Sequence, residues 1–166
     1  MKNKIIFLDI DGVLRTVTDI NFNKRSIGNL NNLIRKTNAK IVITSTWKNE
    51  KGLSYVKEIL ENQGLKGDII DETPHFTLIH PDYGELNIPR GMEIKCWLEK
   101  NTKMEFLDGE PVVNFIENYV ILDDHSDMLI EQNEHFIKID PTKGFDGRYM
   151  KRAIEILNKE NYETVI

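Results

Sequence analysis

Four short apolar runs punctuate the chain, and each stops at polar residues. Lys4–Leu8 (KIIFL) is continuous rather than alternating, the pattern of a strand buried on both faces, and it ends at Asp9. Ile41–Thr44 runs into Ser45-Thr46-Trp47, Tyr119–Leu122 runs into Asp123-Asp124, and His135–Ile139 forms a fourth strand. Between these runs the apolar spacing changes to three and four residues. A helix is predicted from Ser26 to Lys36 with Ile27, Leu30 and Ile34 on one face. A second, Leu53–Gln63, uses Leu53, Val56, Ile59 and Leu60 and closes at Gly64, a residue suited to a left-handed cap. Gly91–Lys100 is helical with Ile94, Trp97 and Leu98 on a shared side, Asp127–Gln132 is a short helix, and Gly147–Asn158 is a closing helix. Asp68–Ile70 reads as a short strand, and Phe106–Phe115 as a hairpin around Asp108-Gly109. Residues 12–24 form a loop, and residues 71–89, with three prolines and little periodicity, are predicted to be irregular. Strands alternating with helices predict an α/β fold: a three-layer sandwich around a doubly wound, mostly parallel, Rossmann-like sheet. No repeat, low-complexity tract or linker composition divides it, so residues 1–166 read as one domain.

The length of 166 residues allows a continuous core without disulfides. Cys96 is the only cysteine, which excludes an internal disulfide framework and suits a reducing cytoplasm. No apolar run approaches the roughly 18–20 residues that span a bilayer, and the N-terminal run is too short for a secretion signal. A cytoplasmic protein without membrane contact is the expectation. The 27 Asp+Glu against 22 Lys+Arg, a formal charge of −5, argue against a general polyanion-binding surface but leave room for a local phosphate site.

Two of the strands end in acidic pairs, Asp9-Ile10-Asp11-Gly12 and Asp123-Asp124. Ligands of open α/β sheets bind beyond the carboxyl ends of the strands, so these carboxylates should converge. Such a gathering is unfavourable without a cation, and oxygen donors with no Cys or His cluster favour Mg²⁺. Asp also terminates strands simply by opening turns. The same arrangement on two separate buried strands favours the metal-site reading.

These residues resemble the haloacid dehalogenase-like (HAD) superfamily of phosphohydrolases. FLDIDGVL (Phe7–Leu14) is similar to its first motif. The resemblance implies that Asp9 is a nucleophile forming an aspartyl-phosphate and that Asp11 is the general acid and then base. Residues i and i+2 of an extended strand end point the same way, so both carboxylates can face one phosphate. Gly12 lets the backbone turn away tightly. KIVITSTW supplies the second motif: Ser45 is favoured, with Thr44 and Thr46 beside it, to hold a phosphoryl oxygen. The third motif, a cation, falls on Arg90 at the start of PRGMEIKCWL, with Lys95 in reserve. VILDDHSD (Val120–Asp127) matches the fourth. By analogy Mg²⁺ is held by Asp9, the backbone carbonyl of Asp11 and Asp124 or Asp123, with Asp124 preferred and Asp123 in support. Asp127 is either a supporting residue or the cap of the helix after it.

Residues 12–44 separate the first two motifs and 46–89 the next two, and neither interval holds a full cap domain. The resemblance is therefore to capless members, whose open sites commonly accept phosphates on macromolecules. RGMEIKCWL, DDHSDML and the closing helix look, more narrowly, like the phosphatase domains of RNA-repair proteins. The expected partner is a phosphorylated substrate such as a nucleic-acid end, a nucleotide or a small phosphate ester. Arg15, Lys24, Arg25, Trp47, Lys48 and Lys51 follow the two strand ends and could hold a backbone phosphate and stack a base. Equally, Trp47 could pack on the core with the lysines solvated. His75, His80, His125 and His135 have no metal-ligand spacing. His125 adjoins the acidic pair, where loop exposure is the expectation. A signalling receiver domain places its acidic pair on the first strand and its acceptor later, the reverse of the order here. A phosphate-binding module without catalysis is disfavoured by the intact Asp9 and Asp11.

Overall fold

The computed structural model describes residues 3–102, 104–107, 110–113 and 116–159. Five strands form one parallel sheet: β1 (Asn3–Leu8), β2 (Lys40–Ile43), β3 (Ile69–Glu72), β8 (Ile116–Asp123) and β9 (Phe136–Lys138), in the order β3-β2-β1-β8-β9. Two antiparallel hairpins lie outside the sheet, β4 (Thr77–His80) with β5 (Gly84–Asn87) and β6 (Met104–Leu107) with β7 (Glu110–Val113). The helices are α1 (Lys24–Thr37), α2 (Trp47–Lys51), α3 (Leu53–Asn62), α4 (Arg90–Asn101) and α5 (Gly147–Asn158).

Alternation along the buried strands builds the three layers. Ile6, Leu8, Ile41, Ile43, Val120 and Leu122 pack with Leu30 and Leu33 of α1, Val56 and Leu60 of α3, and Ala153, Ile156 and Leu157 of α5. Their alternates, Ile5, Phe7, Val42 and Ile121, pack with Ile94 and Trp97 of α4 on the opposite face. Phe7 meets the edge of Trp97 at a centroid distance of 5.4 Å. Burying each of the Val, Leu, Ile and Phe side chains among them contributes roughly 1.5–3 kcal/mol. Asn23 caps α1 by accepting the backbone N–H groups of Arg25 and Ser26, and Asp146 caps α5 in the same way. Gly64, with φ +89°, sits just past α3 as expected.

Three elements depart from the sequence expectation. The stretch 71–89 is not irregular: it completes β3 and then forms the β4–β5 hairpin. Leu78 and Ile79 are both exposed, so neither face of the hairpin carries the alternating burial by which strands are recognised. The Asp127–Gln132 helix reduces to a 3₁₀ turn at Ile130–Gln132. Helix α2 follows β2 directly, where only a strand end was expected. The hairpin expected at Phe106–Phe115 forms from Met104 to Val113, and its Asp108-Gly109 turn lies outside the described residues. Among the described residues no helix is long and apolar enough to cross a membrane.

Candidate active site

The strand order reverses between β1 and β8: the chain leaves β1 toward β2 and β3, and leaves β8 toward β9. Such a switch point opens a crevice beyond the carboxyl ends of the two strands. Leu8 pairs with Leu122, and the N–H of Asp9 donates to the Leu122 carbonyl at 3.1 Å, so Asp9 emerges beside Asp123. Both carboxylates are buried.

Arg90 reaches between them. Its Nη1 lies 3.2 Å from Asp9 Oδ2 and hydrogen-bonds Asp123 Oδ2. Burial opposes the guanidinium charge, but the carboxylates of Asp9 and Asp123 outweigh it and raise the Arg90 pKa. Burial also holds the Asp9 carboxyl above its usual 3.8, against the pull of Arg90, the Ile10 N–H and the Ser45 hydroxyl. The Asp123 carboxyl is pushed up to about 6, by burial first and by the charge of Asp9 second.

The start of α4 aims Arg90. Asp127 Oδ2 accepts the Arg90 backbone N–H at 2.9 Å, and the Asp127 carbonyl accepts that of Gly91 at 3.2 Å. Asp127 therefore caps α4 and not the turn that follows it in sequence. Gly91 allows the close fit, since a Cβ there would lie 2.6 Å from the Leu129 nitrogen and 2.7 Å from Gln132 Oε1. Lys95, the reserve cation, is excluded from the site: it points away on α4 and pairs with Glu131 at 2.9 Å.

Asp9, Asp123, Asp124 and His125 each bring one donor atom within 4.8 Å of the others. Three carboxyl groups gather here against the one Arg90 guanidinium. Carboxylate oxygens in such a cluster fit a hard divalent cation such as Mg²⁺. His125 is exposed as expected, yet its Nδ1 approaches Asp124 Oδ1 at 3.0 Å, so it borders the cluster. Gly12, with φ +75°, gives Asp124 its space.

Asp11 is held away from the cluster by residues expected to touch the substrate. Trp47 Nε1 donates to its Oδ2 at 2.8 Å and Arg15 Nη1 to its Oδ1 at 3.0 Å. Trp47 is half-buried against Phe22, and the Arg15 guanidinium lies 5.0 Å from its ring, so Trp47 is not a free stacking platform. Lys24, Arg25 and Lys51 are exposed.

Lys48 is buried, contrary to the picture of a solvated surface cation, and burial lowers its pKa against the charges of Glu93 and Glu72. Its Nζ donates to Asn49 Oδ1 at 3.2 Å and lies 3.7 Å from Glu93 Oε2. The other Glu93 oxygen accepts the Phe76 N–H at 3.3 Å and sits 3.2 Å from His75 Nδ1. Glu93 thus ties the root of the β4–β5 hairpin to α4 and α2. Nothing in the sequence distinguishes Glu93 from a solvated first-turn glutamate.

Asp9, Asp11, Ser45, Thr46, Lys48 and Arg90 share a cavity of about 340 Å³. Its wall also includes His75, Asn87 and Ile88 from the ends of the hairpin segment, with Asn49, Glu93, His125 and Asp127. Thr44 also lines it, and its buried hydroxyl has no hydrogen-bond partner among the described residues.

A family model described as "HAD domain in Swiss Army Knife RNA repair proteins" matches residues 5–149. No curated protein matches the chain. The matched span runs from β1 into α5 and contains both acidic strand ends and Arg90. The chain therefore belongs to this family of HAD domains, a class whose members are generally phosphatases.

Proposed function

We propose that the protein is a Mg²⁺-dependent phosphomonoesterase that works through an aspartyl-phosphate on Asp9. The observation that carries this reading is Arg90, which lines the cavity together with Asp9 and also pairs with the fully buried Asp123 behind it. An Asp9 oxygen bonds to phosphorus as the bond from phosphorus to the leaving oxygen breaks, and that oxygen takes a proton from the Asp11 carboxyl. The Asp11 carboxylate then removes a proton from water. The water oxygen bonds to phosphorus, the bond to Asp9 breaks, and inorganic phosphate leaves. Ser45 holds a phosphoryl oxygen, while Arg90 favours the ionised nucleophile and meets the charge of the transferring group. Thr44 and Thr46 border that oxygen's position, and Lys48 forms the cationic side of the pocket. Asp9, Asp124 and the Asp11 carbonyl, with Asp123 in support, would hold Mg²⁺, which would supply the charge neutralisation that lets two anions meet.

The substrate is a phosphate at a nucleic-acid end. The family description, which names RNA repair proteins, supports this, as does the absence of a full cap among the described residues. A nucleotide or small phosphate ester is the second reading. It is favoured by the cavity volume, at the small end of the roughly 300–1,000 Å³ typical of small-molecule sites.

The test is turnover with Mg²⁺ of 3′- and 5′-phosphorylated oligonucleotides, mononucleotides, phosphopeptides and sugar phosphates. Asp9→Asn should abolish hydrolysis while the protein remains folded. Metal-independent turnover surviving in that variant would refute the mechanism, and preference for sugar phosphates would refute the substrate class.

A further inference from the structure

We infer that Arg15 and Trp47 are positioning residues for Asp11, a two-sided clamp that fixes its carboxylate for proton transfer. The inference rests on the acid–base role proposed above for Asp11.

The Asp11 side chain is 58% exposed, a setting in which a short carboxylate ordinarily turns among its rotamers. Here each oxygen has its own donor, Trp47 Nε1 at 2.8 Å and Arg15 Nη1 at 3.0 Å. Two donors on two oxygens fix the plane of the group as well as its direction. They arrive from different elements: Arg15 from the loop after β1, Trp47 from the start of α2 after β2.

Both donors are themselves held. Arg15 Nε donates to the Ile20 carbonyl at 2.7 Å, and backbone bridges join Arg15 to Asp11 and to Phe22. Phe22 meets the Trp47 ring edge-on at 5.9 Å. The Arg15 guanidinium lies 5.0 Å from the Trp47 ring and 5.9 Å from that of Phe22. The clamp is therefore an assembled unit, and Asp124 has no equivalent, its side-chain partner being His125. Proton transfer demands a fixed donor geometry, and misplacement of about 1 Å costs on the order of a hundredfold.

Phenyl phosphate has a leaving group that needs protonation, whereas p-nitrophenyl phosphate needs little. Both are assayed with Mg²⁺ on the full chain. Trp47→Phe keeps an aromatic ring against Phe22 and removes only the donor side of the indole. Its kcat/KM should fall about tenfold further on phenyl phosphate than on p-nitrophenyl phosphate, with KM for each little changed. Arg15→Gln, which keeps a side-chain donor on a half-buried residue while removing the charge, should shift the same ratio and serves if Trp47→Phe does not fold. Equal losses on both substrates, no loss, or a gain would overturn the clamp. Asp11→Asn is the reference: if it leaves the ratio unchanged, the acid–base role of Asp11 has failed. Independently of turnover, the Trp47 indole N–H resonance should shift on Asp11→Asn. A resonance that stays in place would overturn the clamp whatever the kinetics.

Discussion

Gly12 and Asp124 compete for one space: a Cβ on residue 12 would lie 2.5 Å from Asp124 Oδ2 and 2.8 Å from its Cβ. Gly12 also has φ +75°, a conformation that costs other residues about 1–2 kcal/mol. Gly12→Ala should therefore lower stability by about 1–3 kcal/mol and displace Asp124. With Asp124 displaced, kcat/KM at saturating Mg²⁺ should fall on the order of a hundredfold. Urea denaturation and steady-state kinetics on the same preparation check this, and activity near wild type would show that Asp124 does not matter to the reaction.

Glu93 compensates a lysine whose side chain is only 2% exposed. Removing one partner of a buried ion pair costs roughly 3–5 kcal/mol, because the other is left uncompensated. Glu93→Ala should lower stability by about that much. It should also release the 75–88 segment, since it removes the acceptor of the Phe76 N–H. Glu93→Gln, which keeps an acceptor, should fall between. Denaturation midpoints and limited proteolysis within 75–88 report the two effects separately, and an unchanged midpoint would mean that Lys48 is otherwise satisfied.

The acidic cluster should make metal-free stability depend on pH in an unusual direction. The Asp123 carboxyl rises from 3.8 to about 6 on folding, chiefly through burial, so the folded protein holds this proton more tightly than the unfolded chain. Its contribution is present below pH 3.8 and is lost as pH rises through about 6. In EDTA, Asp123→Asn should thus be more stable than wild type near pH 7, and the two should converge near pH 4. Mg²⁺ should reverse the order at neutral pH. At a hundred times its dissociation constant, binding adds about 2.7 kcal/mol to wild type. Thermal melts across pH, with and without Mg²⁺, decide the matter; a pH-independent difference between the two proteins would contradict the burial of Asp123.

The core and the acidic centre are legible in sequence because both are local patterns. Unbroken apolar runs announce β1, β2 and β8, and each acidic pair stands where its run stops. Arg90 is singled out by the family resemblance, which asks for a cation here and leaves Lys95 in reserve; its place at the start of α4 is what the sequence itself offers. What escapes depends on contacts between distant segments. In sequence Trp47 is equally a stacking platform or a core-packing ring until Asp11 is placed beside it, and Lys48 equally a phosphate holder or a solvated cation until Glu93 closes over it. Asp127 precedes one turn in sequence but caps a helix that begins at Arg90. The β4–β5 hairpin escapes for another reason: with Thr77, Leu78 and Ile79 all exposed, no hydrophobic face marks its strands.

That hairpin has a consequence for how the protein can diverge. Its two strands pair with each other and not with the sheet, and the tip from Ile79 to Tyr83 reaches into solvent apart from half-buried His80. Its root is fastened by Glu93, while Asn87 and Ile88 border the cavity. Insertions, deletions and substitutions can therefore accumulate at the tip without strain on β1, β8 or Arg90. The tip can thus drift while the acidic strand ends, Arg90 and the anchored root of the hairpin stay fixed, so relatives can keep the cavity while differing most between Ile79 and Tyr83.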